Sequence, residues 1–220
     1  MTRKIVTEAI QILDKSFQIE RIADMEDLFE ELLKKDSEDI NVKDERIPYW
    51  CEIWASAIGL SMYIIENSSF IENKSVIEVG AGLGLPSITA SHYAESITIT
   101  DYIQEAVDFS KRNWLLNHSV GEAFFEVLDW RNIATQHKKY DIVIASDVAY
   151  EQNGFDALLI GLKKLLKPGA CILLSEPNRY LGKLFLDKIK EEELVVNSKS
   201  YHVNLHNKDN TITVYQLFVP

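Results

Sequence analysis

The sequence predicts an α/β fold with a seven-stranded, mostly parallel sheet that carries a terminal antiparallel strand, and three observations predict it. A glycine-rich turn at 80–84 follows a buried strand and opens a helix. Apolar strand-like runs then alternate with helical segments as far as about residue 193. Two last strand-like runs, near 194–203 and 211–219, are joined by a polar turn at 206–210.

Length and composition bound the class of protein. The chain has 220 residues, of which 46% are hydrophobic and 26% charged, as in an ordinary globular domain. Its net charge of −11 argues against nucleic-acid binding, which needs basic surface, and is compatible with a basic partner. The two cysteines, Cys51 and Cys171, have neither a disulfide nor a metal-site spacing, so we expect no metal.

The chain has no signal-like segment at its start and no run of 18 apolar residues. We therefore expect a soluble, cytoplasmic protein that does not bind membranes, and we expect a monomer.

Residues 1–47 are predicted to be a helical appendage, and residues 48–220 the main domain. Asp24 can cap a helix whose apolar face contains Leu28, Phe29, Leu32 and Leu33, and the polar stretch 37–44 reads as a loop. The appendage either covers the main domain or shapes part of a substrate pocket.

An aromatic cluster opens the main domain. Tyr49, Trp50 and Trp54 precede an apolar helix that ends near residue 66. The rings pack in the core or, because they lie at the entrance of the helix, contact a ligand.

The glycine turn is the main candidate for a ligand site. Residues 75–79 form a buried strand, and Gly80, Gly82 and Gly84 follow it, so backbone N–H groups and a helix start can approach a ligand closely. A dinucleotide motif would need glycine at position 85, which is leucine. Glu78, two residues before the turn, would repel a pyrophosphate but suits a ligand with an amine and a sulfonium. The alternative is a glycine turn without a ligand.

Acidic residues end the next two strands. Asp101 follows the strand 96–100 at the position that binds ribose hydroxyls in such folds, unless it only caps a helix. Asp129 and Trp130 end the strand 122–128, where a carboxylate can accept from an adenine amino group and an indole can cover the ring. The alternative for this pair is an ordinary strand-end turn.

The fourth and fifth strands add the remaining candidates. The near-continuous apolar run 140–146 is typical of a central parallel strand and delivers Asp147 and Tyr150 to the carboxyl edge of the sheet. Asp147 could instead cap the following helix. The fifth strand, 170–175, leads into the segment 176–179, which ends in Arg179.

Five segments together resemble the methyltransferase family 16 group of class I, seven-β-strand methyltransferases, which have a Rossmann-like fold. They are PYWCEIW, EVGAGLGLP, TDY, LDW and SDVAYE, spread over residues 48–179. The segment Pro177-Asn178-Arg179 is also similar to the Pro-x-Arg of bacterial relatives described as nicotinamide N-methyltransferase-like.

The resemblance implies that S-adenosylmethionine is the cofactor and S-adenosylhomocysteine its product. The implied cofactor-binding residues are Trp54, Glu78, Gly80, Gly82, Gly84, Asp101, Tyr102, Asp129, Trp130 and Ser146. It also implies that Asp147 and Tyr150 form the family's acid-x-x-Tyr motif beside the methyl group, as catalytic residues, and that Trp50 and Arg179 bind substrate.

The resemblance favours a lysine side chain of a protein as methyl acceptor. A small nitrogen compound of the nicotinamide kind is the first alternative, and a partner-binding protein that holds the cofactor without catalysis is the second. Base methylation is disfavoured because the fourth strand is followed by SDVAY and not by Pro-Pro-Tyr/Phe.

Overall fold

The computed structural model describes residues 3–39, 42, 46–192 and 194–218. The strands are β1 Ile5–Ile12, β2 Lys15–Ile22, β3 Ser75–Val79, β4 Ser96–Asp101, β5 Glu122–Val127, β6 Tyr140–Ser146, β7 Leu166–Glu176, β8 Val195–Leu205 and β9 Lys208–Phe218. The α-helices are α1 Met25–Leu33, α2 Ala55–Glu66, α3 Ser68–Ile71, α4 Leu85–Ala90, α5 Gln104–Leu116, α6 Phe155–Lys164 and α7 Tyr180–Glu191. Short 3₁₀ turns lie at Tyr49–Cys51, Trp130–Asn132 and Gln152–Gly154.

The predicted sheet is confirmed. Within the described ranges, seven strands pair in the order β5-β4-β3-β6-β7-β9-β8. Strands β3 to β7 run parallel, and β9 is antiparallel to both β7 and β8. Because parallel strands end at one edge of a sheet, the residues that follow β3, β4, β6 and β7 come together there.

Several boundaries differ from the predictions by a few residues. Helix α4, which the sequence predicts from residue 85 to about residue 93, ends at Ala90. Strand β8 extends to Leu205 and β9 begins at Lys208, so the turn between them is shorter than the predicted 206–210. Strand β7 begins at Leu166, before the predicted start at residue 170, because Leu166 already pairs with Tyr140 and an irregularity follows before Cys171 pairs with Ile142. The predicted ends at residues 193 and 219, and residues 40, 41, 43 and 44 of the predicted loop, lie outside the described residues.

The prediction of a helical N-terminal appendage is wrong for its first part. Helix α1 is present and Asp24 caps it, but β1 and β2 before it form an antiparallel hairpin. Ile10, Ile12, Phe17 and Ile19 alternate onto one buried face, which packs in the same core as α2.

The alternation of apolar residues in this hairpin is a local strand signal that was overlooked, and long-range hydrogen bonds add to its support. The side-chain oxygens of Asn117, the residue after α5, and of Asn113 in α5 accept from the backbone N–H groups of Gln18 and Glu20 at 2.8 and 2.7 Å. These two bonds support the β2 backbone from a helix about a hundred residues away, which local sequence does not reveal. The predicted boundary between the N-terminal appendage and the main domain, after residue 47, stays a prediction.

None of the helices in the described ranges is long and apolar enough to cross a membrane.

Candidate active site

The glycine turn forms the floor of an inner cavity at the carboxyl edge of the sheet. Gly80, Gly82 and Gly84 all have positive φ, at 66°, 52° and 80°. A Cβ on Gly82 would lie 3.0 Å from the Trp50 carbonyl oxygen, so glycine is required there both for the conformation and for the space. Besides the glycines, the wall of this inner cavity includes Asp101, Tyr102, Trp130, Ser146, Asp147 and Tyr150.

Glu78 lies beneath this turn and not in the cavity wall, in contrast to its predicted contact with a ligand amine. The side chain is fully buried, and its Oε2 accepts from the backbone N–H of Ser87 at 3.0 Å, in the first turn of α4. Burial raises the pKa of the Glu78 carboxyl to about 8, although the hydrogen bonds from Ser87 act to lower it. Glu78 therefore ties β3 to α4 and positions the glycine turn between them.

Asp101 lines the inner cavity and also holds the glycine turn, whereas its role in binding ribose hydroxyls stays a prediction. Its two carboxylate oxygens accept from the backbone N–H groups of Gly82 and Ile103, both at 3.0 Å. Burial raises the pKa of Asp101 to about 6, although these N–H groups favour the charged form. The same carboxylate thus fixes the turn and faces the space above it.

The aromatic cluster divides between core and cavity. Trp54 lines the cavity and donates its indole N–H to the Tyr49 carbonyl oxygen at 2.8 Å. The Trp50 ring packs on Phe109, with ring centroids 5.5 Å apart. Trp50 therefore borders the inner cavity and lies outside the outer cavity described below, so its placement does not match a substrate-binding role.

Tyr102, Asp129 and Trp130 lie together at one end of the inner cavity. Tyr102 and Trp130 line it, with ring centroids 6.3 Å apart, whereas Asp129 lines an adjoining recess with them. The Asp129 carboxylate accepts from the backbone N–H and the Nε of Arg131 at 2.9 Å. Burial alone would raise the pKa of Asp129, but the hydrogen bonds from Arg131 lower it below its usual value.

Asp147 stands at the end of β6 in a left-handed conformation with φ of 56°. Its backbone N–H donates to the Ser175 carbonyl oxygen at 3.0 Å, and Ser56 Oγ lies 3.5 Å from its Oδ2. Arg179 forms an ion pair with Oδ1. Ser146, the residue before Asp147, lines the inner cavity, and its role in cofactor binding stays a prediction.

Tyr150 contacts two other aromatic residues, Tyr49 and Tyr102. Its ring meets Tyr49 edge-on at 5.9 Å, and its hydroxyl is hydrogen-bonded to Tyr102. Burial raises the pKa of Tyr150 above its ordinary value, and the neighbouring acids Glu151 and Asp101 raise it further. The phenol is therefore neutral at physiological pH and can both donate and accept a hydrogen bond.

An outer cavity opens beside the inner one and shares part of its wall. The outer cavity is lined by Ile47, Tyr49, Trp54, Asp147, Tyr150, Glu151, Arg179, Tyr180 and Leu181. Asp147 and Tyr150 line both cavities, as do Trp54 and Tyr49. The two predicted catalytic residues thus lie at the junction between a glycine-floored cavity and an aromatic one.

Sequence reasoning missed three residues at this junction. Ser56 and Ser175 are fully buried, and Ser175 Oγ donates to the Ser56 carbonyl oxygen at 2.9 Å, which links α2 to β7 behind Asp147. Glu176, 1% exposed, accepts from the Ala149 N–H, and burial raises its pKa to about 7. Glu176 could have been found from the sequence, because it is an acid that directly follows the predicted fifth strand. No sequence pattern indicated a role for Ser56 or Ser175.

Among the described residues, no group of three His, Cys, Asp or Glu side chains is placed to hold a metal ion.

The chain is similar in sequence to two proteins that are described as lysine methyltransferases. The chain is 31% identical over 130 residues to the protein N-lysine methyltransferase METTL21A of Xenopus tropicalis, covering 58% of this chain and 60% of that protein. It is 28% identical over 134 residues to the electron transfer flavoprotein beta subunit lysine methyltransferase of Mus musculus, covering 60% and 51%. The matches thus span about half to three-fifths of these relatives.

A solved structure supports the fold. The magnesium protoporphyrin IX methyltransferase of Synechocystis PCC 6803, with bound S-adenosylmethionine, superposes with a TM-score of 0.58 over 88% of this chain and 91% of that one, at 16% identity. The Rossmann-like class I methyltransferase fold predicted from the sequence is thereby confirmed.

The family model described as lysine methyltransferase matches residues 34–192, well over half of the chain. The chain therefore belongs to methyltransferase family 16, as its sequence segments indicated.

Proposed function

We propose that this protein is an S-adenosylmethionine-dependent N-methyltransferase that methylates a lysine side chain of a protein. One observation carries the proposal. Asp147 and Tyr150 line both the glycine-floored inner cavity and the aromatic outer cavity, so groups held in either cavity meet at these two side chains. Family membership and the lysine methyltransferases among the relatives support the same reaction.

The inner cavity has the features that S-adenosylmethionine requires. The turn 80–84 lines the cavity and its glycines carry no side chain, so a ligand can approach its backbone closely, and the Asp101 carboxylate faces the cavity as an acceptor for ribose hydroxyls. Trp130 and Tyr102 supply aromatic faces for an adenine. Asp129 lies in the adjoining recess, and its carboxylate already accepts a hydrogen bond from Arg131. An adenine amino group that binds Asp129, as predicted from the sequence, would have to share this carboxylate with Arg131. When bound, S-adenosylmethionine supplies the methyl group and the sulfonium leaving group.

The outer cavity suits an amine on a long apolar chain. Tyr49, Trp54 and Tyr150 offer aromatic faces to the methylene groups, and such faces also stabilise a cation. A free lysine has a pKa of about 10.4, so holding it neutral at pH 7 costs about 4.6 kcal/mol. Asp147 favours the charged amine and so docks and orients it, while the neutral Tyr150 phenol can accept a hydrogen bond from it.

The test is incubation of the protein with labelled S-adenosylmethionine and cell lysate, followed by electrophoresis and identification of the labelled residue. We expect a discrete protein band that carries the label on lysine. The matched control is Asp147→Asn, which keeps the shape of the side chain and removes its charge. Label confined to small molecules would favour a small-amine acceptor, and binding without transfer would favour a non-catalytic protein; either result contradicts the proposal.

A further inference from the structure

The ion pair between Arg179 and Asp147 occupies the position where an acceptor amine would bind. Asp147 is the carboxylate shared by the two cavities, and its side chain is only 9% exposed. Arg179 contacts it from the outer cavity, and its own side chain is 50% exposed. The Arg179 guanidinium is a cation that reaches Asp147 from the outer cavity, as the ammonium group of an acceptor lysine would.

The backbone on both sides of this pair is held, so only the Arg179 side chain is free to leave. Asn178 donates to the Thr211 carbonyl oxygen at 2.8 Å and accepts from Thr213 Oγ1 at 3.1 Å. The Arg179 carbonyl oxygen accepts from the Lys183 N–H at 3.0 Å in the first turn of α7. Asp147 is held in turn by its bond to Ser175. Displacement of Arg179 therefore needs a rotamer change and no movement of the main chain.

A displaced Arg179 would still lie at the mouth of the outer cavity as an unpaired cation. Of the residues that line this cavity in the described part of the chain, Arg179 is the one cation, and Asp147 and Glu151 are its acids. Once the acceptor amine neutralises Asp147, the guanidinium is satisfied best by a carboxylate that arrives with the acceptor, because Arg pairs with carboxylates in a bidentate fork.

We propose that Arg179 stands in for the acceptor ammonium at Asp147 and, when displaced, selects lysines with an acidic neighbour in the substrate protein. The inference rests on the proposed function and names its substrate class. The net charge of −11 repels a generally acidic partner, so the substrate offers a single acidic side chain beside the lysine and not an acidic run.

Two tripeptide probes test this by binding alone, without transfer. The probes are N-acetyl-Glu-Lys-Glu-amide and N-acetyl-Gln-Lys-Gln-amide, titrated at low salt and followed by calorimetry. We expect the wild type to bind the Glu probe about fivefold tighter, the scale of one ion pair on a partly exposed surface. In Arg179→Gln, the preference should vanish, and the Gln probe should bind about fivefold tighter than to the wild type, because no guanidinium competes for Asp147.

Lys183→Gln is the matched control, since it removes the same charge from an exposed position on α7 without touching Asp147. It should keep the preference for the Glu probe. Equal binding of both probes by the wild type, a preference that survives in Arg179→Gln, or no binding of either probe would each overturn the inference. The lysate experiment is independent: a chain with the expected preference that labels no protein would refute the proposed function and leave the role of Arg179 intact.

Discussion

The inner and outer cavities differ in how their walls are held. The inner cavity is built from backbone: Asp101 fixes Gly82, and Glu78 fixes the start of α4, both through N–H groups and both from buried side chains. The outer cavity is built from side chains: aromatic edges between Tyr49, Trp54 and Tyr150, and an ion pair whose guanidinium is half exposed. One cavity is thus preformed, and the other can adapt its walls.

The difference in construction suits the inner cavity to the cofactor and the outer cavity to the methyl acceptor. A cofactor that is the same in every reaction suits a rigid, backbone-built cavity, since preorganisation lowers the cost of binding. An acceptor that differs between relatives suits a cavity whose specificity depends on a few replaceable side chains. Changes in the inner cavity should therefore affect stability and cofactor affinity, and changes at the junction should affect acceptor binding and transfer.

The largest expected effect concerns the buried acid under the glycine turn. The pKa of Glu78 is about 8 in the folded chain, above its unfolded value of 4.5, so the folded chain keeps the proton that the unfolded chain loses, and stability falls as the pH rises from 4.5 to about 8. Asp101, with a pKa of about 6, contributes in the same direction. Glu78→Gln should therefore gain stability relative to the wild type by an amount on the order of a few kcal/mol between pH 5 and pH 9.

Denaturant unfolding of both proteins across that pH range measures the difference. Gln can still accept from the Ser87 N–H, so the variant should fold. A stability difference that does not change with pH would show that Glu78 does not carry the proton.

Next in size is the effect of Asp147→Asn. If Asp147 orients the acceptor amine, transfer should fall on the order of 10²-fold, the scale of misplaced reacting groups, with the melting temperature and cofactor affinity nearly unchanged. The alternative that Asp147 caps the following helix is wrong, because Glu151 and Gly154 hold the N-cap positions of the next two helical segments. Full activity of the variant would show that Asp147 is not catalytic. It would also contradict the claim that side chains at the junction of the two cavities control transfer.

The smallest expected effect is that of Asp101→Ala on cofactor affinity. The substitution removes an acceptor for ribose hydroxyls and frees the Gly82 N–H, so binding of S-adenosylhomocysteine should weaken by about 1–3 kcal/mol. Calorimetry measures it, and Asp108→Ala, at an exposed acid on α5, is the control. An unchanged dissociation constant would place Asp101 outside the cofactor site.

The preformed part of the molecule was also the predictable part. Strand periodicity, the glycine spacing and the residues that end the strands are local features, and they located the sheet, the turn, Asp101 and Asp147. The hairpin β1-β2 has the same strand periodicity, with Ile10, Ile12, Phe17 and Ile19 on one face, so its local signal was present and was overlooked. Only its support by Asn113 and Asn117 depends on residues far away in the chain.

The adaptable part was predicted less well, for the same physical reason. The pairing of Asp147 with Arg179 and the approach of Ser56 join residues that are far apart in the chain. Trp50 was assigned to substrate because aromatic residues at a helix entrance fit either role, and only its packing on Phe109 decides between core and pocket. Glu78 matched a motif whose spacing places an acid near the turn but does not tell which side of the turn its carboxylate faces.

The central claim is that the inner cavity takes S-adenosylmethionine, and calorimetric titration with this cofactor and with a nicotinamide dinucleotide tests it most directly. The account predicts binding of S-adenosylmethionine at one site per chain and no binding of the dinucleotide, because the third glycine is Gly84 and position 85 is leucine. Tight binding of the dinucleotide with no response to S-adenosylmethionine would contradict it.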